Sequence, residues 1–141
     1  MSKELGKEFY HLIHRLNSDL MLFELEHMKD ESIVQLTLHE IHTIENIGHL
    51  EDRTMSELAR KAGVKQSTMT VMINKLIMKE YVERYRDPED RRVVKVRLTE
   101  KGDRAHQMHD FLHQRVTDQW LDSLDVEERD CLMKVLRKMM N

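Results

Sequence analysis

A mainly α-helical chain carrying one small β-hairpin is what this sequence predicts. Three observations point that way. Apolar residues recur at helical spacing over long stretches near both ends. Strong helix formers dominate the composition and proline occurs once. Alternation with a period of two occurs only on either side of the turn cluster Asp87-Pro88-Glu89-Asp90. A length of 141 residues suits a single domain with one compact core.

The elements follow in order. Leu5, Phe9, Leu12, Ile13, Leu16, Leu20 and Phe23 predict a helix over 4–28, and 29–36 reads as a connector. Thr37-Leu38-His39-Glu40 is a capping box, in which hydroxyl and carboxylate satisfy each other's backbone amides. It opens a helix to about Ile47 that Gly48 ends. Thr54-Met55-Ser56-Glu57 is a second box, opening a short helix over 56–61 that stops at Ala62-Gly63. A fourth helix spans about 66–79, with Ile73, Leu76 and Ile77 on its apolar face. Residues 81–86 and 93–98 alternate, are rich in β-branched or aromatic side chains, and predict the hairpin. A long helix starts at Thr99 and runs to about Leu121; Asp125-Val126-Glu127-Glu128 opens a last one, to Met140. Two short helices joined by a tight glycine-containing turn make a helix-turn-helix, and the hairpin behind it makes a wing.

The net charge of −3 is unevenly distributed. Residues 60–97 hold eleven Lys and Arg against five Asp and Glu, and the rest of the chain holds twelve against twenty-one. A cationic segment of net +6 inside an acidic remainder of net −9 is suited to a polyanion. No apolar run approaches the ~20 residues that cross a bilayer. The start, Met1-Ser2-Lys3-Glu4, lacks an apolar signal core, and the single cysteine, Cys131, sits in an apolar helical pattern. These features predict a cytoplasmic protein in which Cys131 packs rather than reacts.

A recognition helix in the major groove offers the polar residues of its N-terminal half to base edges. Lys65, Gln66, Ser67, Thr68, Thr70, Asn74 and Lys75 supply donors and acceptors there; for Ser and Thr, ordinary helix-start chemistry is the competing role. The wing carries Arg84, Arg86, Arg91 and Arg92, which solvent alone would also accommodate.

The stretch Asp90-Arg91-Arg92-Val93-Val94-Lys95-Val96-Arg97-Leu98-Thr99-Glu100-Lys101-Gly102, with Ser56-Glu57-Leu58-Ala59 and Ser67-Thr68-Met69-Thr70 upstream, resembles the MarR family over most of the chain. The resemblance implies a winged helix-turn-helix reading head over 37–98. It also implies dimerisation helices over 1–36 and 99–141 that intertwine with a second subunit. Arg92 would enter the minor groove, where narrow A·T tracts concentrate negative potential, and Asp90 would brace the hairpin. Two positions depart from the pattern: Glu80 stands where glycine usually precedes the wing strand, and Lys65 stands where Ser or Asp often caps the helix. The first departure places a non-glycine residue at a left-handed position, costing roughly 1 kcal/mol. The second suggests a shifted helix start or capping by Ser67. The terminal helices bear wide apolar faces, the last through Val126, Cys131, Leu132, Val135, Leu136 and Met139. A small head does not cover them, and a homodimer does. Two-fold symmetry then sets two heads roughly 34 Å apart on a palindromic operator.

Nine histidines remain to be placed. His106, His109 and His113 share one face of the long helix, and His42, Glu45 and His49 repeat that spacing on the second helix. His109 and His113, one turn apart, can chelate one ion, although that spacing alone is weak evidence. Similarity to the zinc-sensing repressors within the MarR family implies the set Glu24, His42, His109 and His113. Their second zinc site is not carried over, because Asp30, Ile41 and Met108 occupy its positions. The runs 39–48, 90–99 and 106–113 are also similar to the family's fatty-acid-synthesis repressors, which implies acyl-acyl carrier protein as a co-repressor. Met21, Leu22, Met28, Met108 and Leu112 would suit an acyl guest or serve as core filling. Metal site, structural His/Glu network and polar contact for a ligand all stay open. A metal-dependent hydrolase fits poorly, since the chain lacks a helical His-Glu-x₂-His motif, a nucleophile elbow and a glycine-rich phosphate loop. An architectural protein indifferent to sequence is separated from a regulator by operator preference at fixed salt. The expected class is a DNA-binding transcriptional regulator, a repressor rather than an enzyme.

Overall fold

A computed structural model describes residues 3–29, 33 and 35–141. Among these described residues, six helices and three short strands follow in the order α1 Lys3–His27, α2 Leu38–Ile47, β1 Arg53–Thr54, α3 Met55–Ala62, α4 Gln66–Met78, β2 Val82–Arg86, β3 Val94–Leu98, α5 Glu100–Asp122 and α6 Val126–Met140. The helix and hairpin boundaries lie within one residue of the sequence expectation. Part of the connector, including Asp30, lies outside the described residues.

Local chemistry explains that agreement. Thr37 with Glu40, Thr54 with Glu57, and Asp125 with Glu128 each form a complete capping box. Gly63 closes α3 in the left-handed conformation, at φ 66°. Gly48 ends α2 at φ 88°. α4 differs: it begins at Gln66 with Lys65 as N-cap and no side-chain cap, so neither a shifted start nor capping by Ser67 occurs. β1 is a strand the sequence does not announce, because it is only two residues long and its second residue, Thr54, also opens the second capping box. It pairs antiparallel with β3 through Arg53↔Val96 and Thr54↔Lys95, giving the sheet order β1-β3-β2. Val82↔Leu98 to Arg86↔Val94 sets the hairpin register.

The chain divides into two compact units, Glu24–Asp110 and a second made of residues up to Phe23 together with Phe111–Asn141. The Glu24–Asp110 unit contains the helix-turn-helix and the wing. Its core is Ile33, Leu36, Ile41, Ile44, Ile47, Leu58, Met69, Ile73, Leu76, Tyr81, Val82, Val96 and Leu98, all buried. The other unit is poorly covered. Leu5, Phe9, Leu12, Ile13 and Leu16 of α1 and Val126, Leu132, Val135, Leu136 and Met139 of α6 are exposed, and α6 buries no residue. Leu5, Phe9 and Met139 line an open apolar cleft of about 350 Å³. Cys131 is exposed, so in the single chain the expectation that it packs is not met. Met21 and Leu22 are likewise exposed rather than interior. Among the described residues, no helix is long and apolar enough to cross a membrane.

Candidate nucleic-acid interface

In the Glu24–Asp110 unit, α4 turns its apolar side inward through Met69, Ile73 and Leu76, so its opposite side is exposed by periodicity. Lys65, Gln66, Ser67, Thr68, Asn74 and Lys75 are exposed, and Thr70 is half-buried. Thr70 Oγ1 donates to the Gln66 carbonyl at 2.9 Å, so part of its polarity is spent within the helix. An open groove of about 520 Å³ separates α4 from the wing, lined by Met55, Thr70, Arg84, Tyr85, Arg86 and Val94.

The wing turn is braced by its own acids. Asp87 accepts from Lys95 Nζ at 2.6 Å and from the Glu89 amide at 2.8 Å. Lys95 beside it holds the Asp87 carboxyl below its usual range. Asp90 accepts from the Arg92 amide and from Arg92 Nε, both at 3.1 Å, and from Arg92 Nη2 at 3.2 Å. The Arg92 guanidinium is the main reason that the Asp90 carboxyl also titrates low. Asp90 thus braces the turn while the Arg92 side chain stays 91% exposed. Arg86 Nη1 donates to the Arg91 carbonyl at 2.8 Å, tying the two sides of the turn. Arg84 Nη2 donates to Asn74 Oδ1 at 2.7 Å, linking wing and recognition helix. Arg97 pairs with Glu83 and lies 4.8 Å over the Tyr85 ring, which removes it from the outward cationic set.

The wing is held against α4 and α5 by a hub at 79–81 and 99–102. Glu80 has φ 66°, the left-handed conformation that glycine would adopt without cost. The turn is fixed from outside. Thr99 Oγ1 donates to the Glu80 carbonyl at 2.7 Å, the Thr99 amide to the Tyr81 carbonyl at 3.0 Å, and Lys101 Nζ to the Lys79 carbonyl at 2.8 Å. Lys101 Nζ also sits 4.3 Å over the Tyr81 ring. Lys79 Nζ reaches both oxygens of the buried Glu40, at 2.8 and 2.9 Å, and the Gln35 carbonyl. Burial pushes the Glu40 pKa up, but Lys79 and the Thr37 amide outweigh it and the group titrates low. The Leu-Thr-x-Lys-Gly run is therefore a clamp on a strained turn.

A second cluster lies in the same unit. His109 is fully buried, with Nδ1 2.6 Å from Glu45 Oε1 and Nε2 3.0 Å from Glu24 Oε1. His42 Nε2 lies 3.5 Å from the same Glu24 oxygen. Burial lowers the His109 pKa, but the two carboxylates win and push it up to about 9. Glu24 raises that of His42. Glu24, His42 and His109, implied as metal ligands, thus lie together within this unit. His113 belongs to the other unit. Glu45 is a partner the ligand set leaves out, although its spacing from His42 hints at it. His106 faces Asp110 at 3.4 Å and His49 pairs with Asp103 at 3.0 Å, so neither joins the cluster.

Donor atoms of His42, Glu45 and His109 lie within 4.8 Å of one another, so the residues fit a divalent ion. A carboxylate on the far ring nitrogen is also the usual partner of a coordinating imidazole. They equally fit an imidazolium held between two carboxylates, which needs no ion.

Comparison with known proteins agrees with this architecture. Residues 36–94 match the MarR family. The HTH-type transcriptional regulator PchR of Bacillus subtilis is 28% identical over 99% of this chain and 88% of its own length. A structure of Streptococcus pneumoniae FabT in complex with DNA superposes with a TM-score of 0.84 at 29% identity, covering 96% of this chain and 94% of that one. A point mutant of E. coli MarR complexed with operator DNA gives a TM-score of 0.72 at 25% identity, covering 95% and 94%. The matched residues contain the helix-turn-helix and the wing turn, and over nearly its whole length the chain is similar to DNA-binding regulators.

Proposed function

We propose that this protein is a cytoplasmic transcriptional repressor that binds a palindromic operator as a homodimer, with α4 in the major groove and the Arg92 tip of the wing in the adjacent minor groove. The observation that carries this reading is the exposed face formed by Gln66, Ser67, Thr68, Asn74 and Lys75 together with Arg84, Arg86, Arg91 and Arg92. The net charge of the segment that contains it is opposite to that of the rest of the chain. The DNA complexes of FabT and of MarR support it. The uncovered apolar faces of α1 and α6 support the homodimer, since a second copy is the partner available to every chain.

The regulated genes, on this reading, are those of fatty acid synthesis, with acyl-acyl carrier protein as co-repressor. The support is the likeness to FabT. Operator selection from a random duplex pool tests the whole proposal, run alone, with zinc, and with acyl carrier protein carrying long chains. An enriched palindrome whose binding tightens with the acylated carrier is the expected result. Equal retention of all duplexes would reject sequence-specific repression, and indifference to the carrier would reject the co-repressor.

The second reading is a zinc-responsive regulator, favoured by the convergence of Glu24, His42 and His109. His42, Glu45 and His109 would hold the ion, with Glu24 on the other ring nitrogen orienting His109. A bound ion would supply cross-linking charge between helices rather than catalysis. Since His109 carries a proton up to about pH 9 in the ion-free cluster, binding must release it, and affinity rises with pH. Metal analysis of the wild type against His109→Ala decides this reading; equal content in both rejects it.

A further inference from the structure

α4 carries one aliphatic side chain in the middle of its polar outward face. Val71 is 54% exposed. Its helical neighbours at i−4, i−3, i+3 and i+4 are Ser67, Thr68, Asn74 and Lys75, all exposed. A β-branched residue is a poorer helix former than alanine or a long polar chain, and at this position more than half of it stays exposed. Beside it, Asn74 is oriented. A guanidinium can only donate, so the oxygen of the Asn74 amide must face Arg84 Nη2, at 2.7 Å. The NH₂ group is the end left for another partner, and Asn74 offers donors rather than acceptors.

A donor group and an aliphatic side chain one turn apart on a cationic face complement one base edge above the others. In the major groove thymine presents the O4 acceptor next to the C5 methyl group, whereas cytosine presents a donor and no methyl. Resting on the reading that α4 docks in the major groove, we infer that Val71 and Asn74 together select a thymine in each half-site. Val71 packs on the methyl group and Asn74 donates toward O4. Arg84 acts as the positioning residue that fixes the amide. Lys75, Arg84, Arg86 and Arg92 supply the charge that brings the phosphate backbone to this face.

The test uses the duplex that the full-length protein selects from a random pool. Each thymine is replaced in turn by uracil, which removes only the methyl group. It is also replaced by 5-methylcytosine paired with guanine, which keeps the methyl and exchanges the acceptor for a donor. One thymine per half-site is expected to show a loss of about fourfold with uracil, the value of one buried methyl. The same thymine is expected to show a loss of about tenfold or more with 5-methylcytosine. Val71→Ala is expected to abolish the uracil effect and keep the 5-methylcytosine effect. Asn74→Ala should abolish the latter, and Arg84→Gln should narrow it by freeing the amide to turn. Either of two results overturns the inference while leaving the docking reading in place: a selected half-site indifferent to uracil at every thymine, or a Val71→Ala variant with wild-type uracil sensitivity. A protein that prefers no duplex over random DNA overturns both.

Discussion

Gly102, in the first turn of α5, lies directly against the Tyr81 carbonyl. A Cβ at Gly102 would stand well inside contact distance of that oxygen, 3.1 Å from the carbonyl carbon and 3.2 Å from Leu98 Cβ. The neighbours are backbone and a buried side chain, so they have little room to yield. The glycine of the Leu-Thr-x-Lys-Gly run is thus required by a close approach of helix to wing root, not by a left-handed conformation. Gly102→Ala should lower unfolding stability by about 1–3 kcal/mol in urea titrations. It should also weaken the Thr99 amide bond to Tyr81, which sets the wing's orientation, so DNA affinity should fall further than the loss of folded protein explains.

Glu80→Gly should act in the opposite direction. The left-handed backbone at φ 66° is strained for glutamate and open to glycine, while the Thr99 bond uses only the Glu80 carbonyl and survives the change. A gain of up to about 1 kcal/mol is expected, reduced by the extra freedom of glycine in the unfolded chain. A loss of stability on this substitution would mean that the Glu80 side chain holds the turn.

Lys79→Met should be costly. Glu40 is buried and its carboxylate faces Lys79 through both oxygens. Removing one partner leaves a charge with too few contacts, and since Lys79 is partly exposed the loss should be about 2 kcal/mol, below the figure for fully buried pairs. The Glu40 pKa is lowered in the fold. Its contribution is therefore present above 4.5, the unfolded value, and disappears as pH falls through the folded value. Acid titrations of wild type and Lys79→Met should converge below that range.

The His109 cluster gives a pH dependence of opposite sign. The folded pKa of about 9 lies above the ordinary 6.5. The stabilisation is complete below about pH 6.5 and is lost as pH rises through 9. His42, raised by Glu24, adds in the same direction. Unfolding free energy of chelator-treated wild type should decline across that window, whereas His109→Gln should keep only the smaller part of the decline that His42 contributes. A flat wild-type profile would show that the imidazole is neutral in the fold.

Arg92→Ala and Gln66→Ala should separate two kinds of contact. Arg92 projects from the wing with its side chain 91% exposed. Its loss should weaken binding to all duplexes and reduce the salt slope by about 1. Gln66→Ala should leave the slope unchanged and relax base preference at one position per half-site. Equal salt slopes for wild type and Arg92→Ala would remove Arg92 from the interface.

Helices, their ends and the hairpin could be read from the chain alone, because those features depend on residues within a few positions of one another. Thr37 meets Glu40, and Asp90 meets Arg92, whatever the rest of the chain does. The cationic segment and the outward side of α4 were legible for the same reason, since periodicity alone assigns faces. Relationships across long separations in the chain emerged only on folding, apart from the grouping of Glu24 with His109 that the family resemblance implied. Glu45 and His109 are 64 positions apart, Glu24 and His109 are 85 apart, and Lys79 reaches back 39 positions to Glu40. None of these residues has a local pattern that names its partner. The same holds for the two-residue strand β1, whose pairing with β3 comes from the far side of the helix-turn-helix. It holds too for Arg84 fixing the Asn74 amide: sequence places both residues near the groove, and only packing of wing against helix determines which end of the amide faces outward.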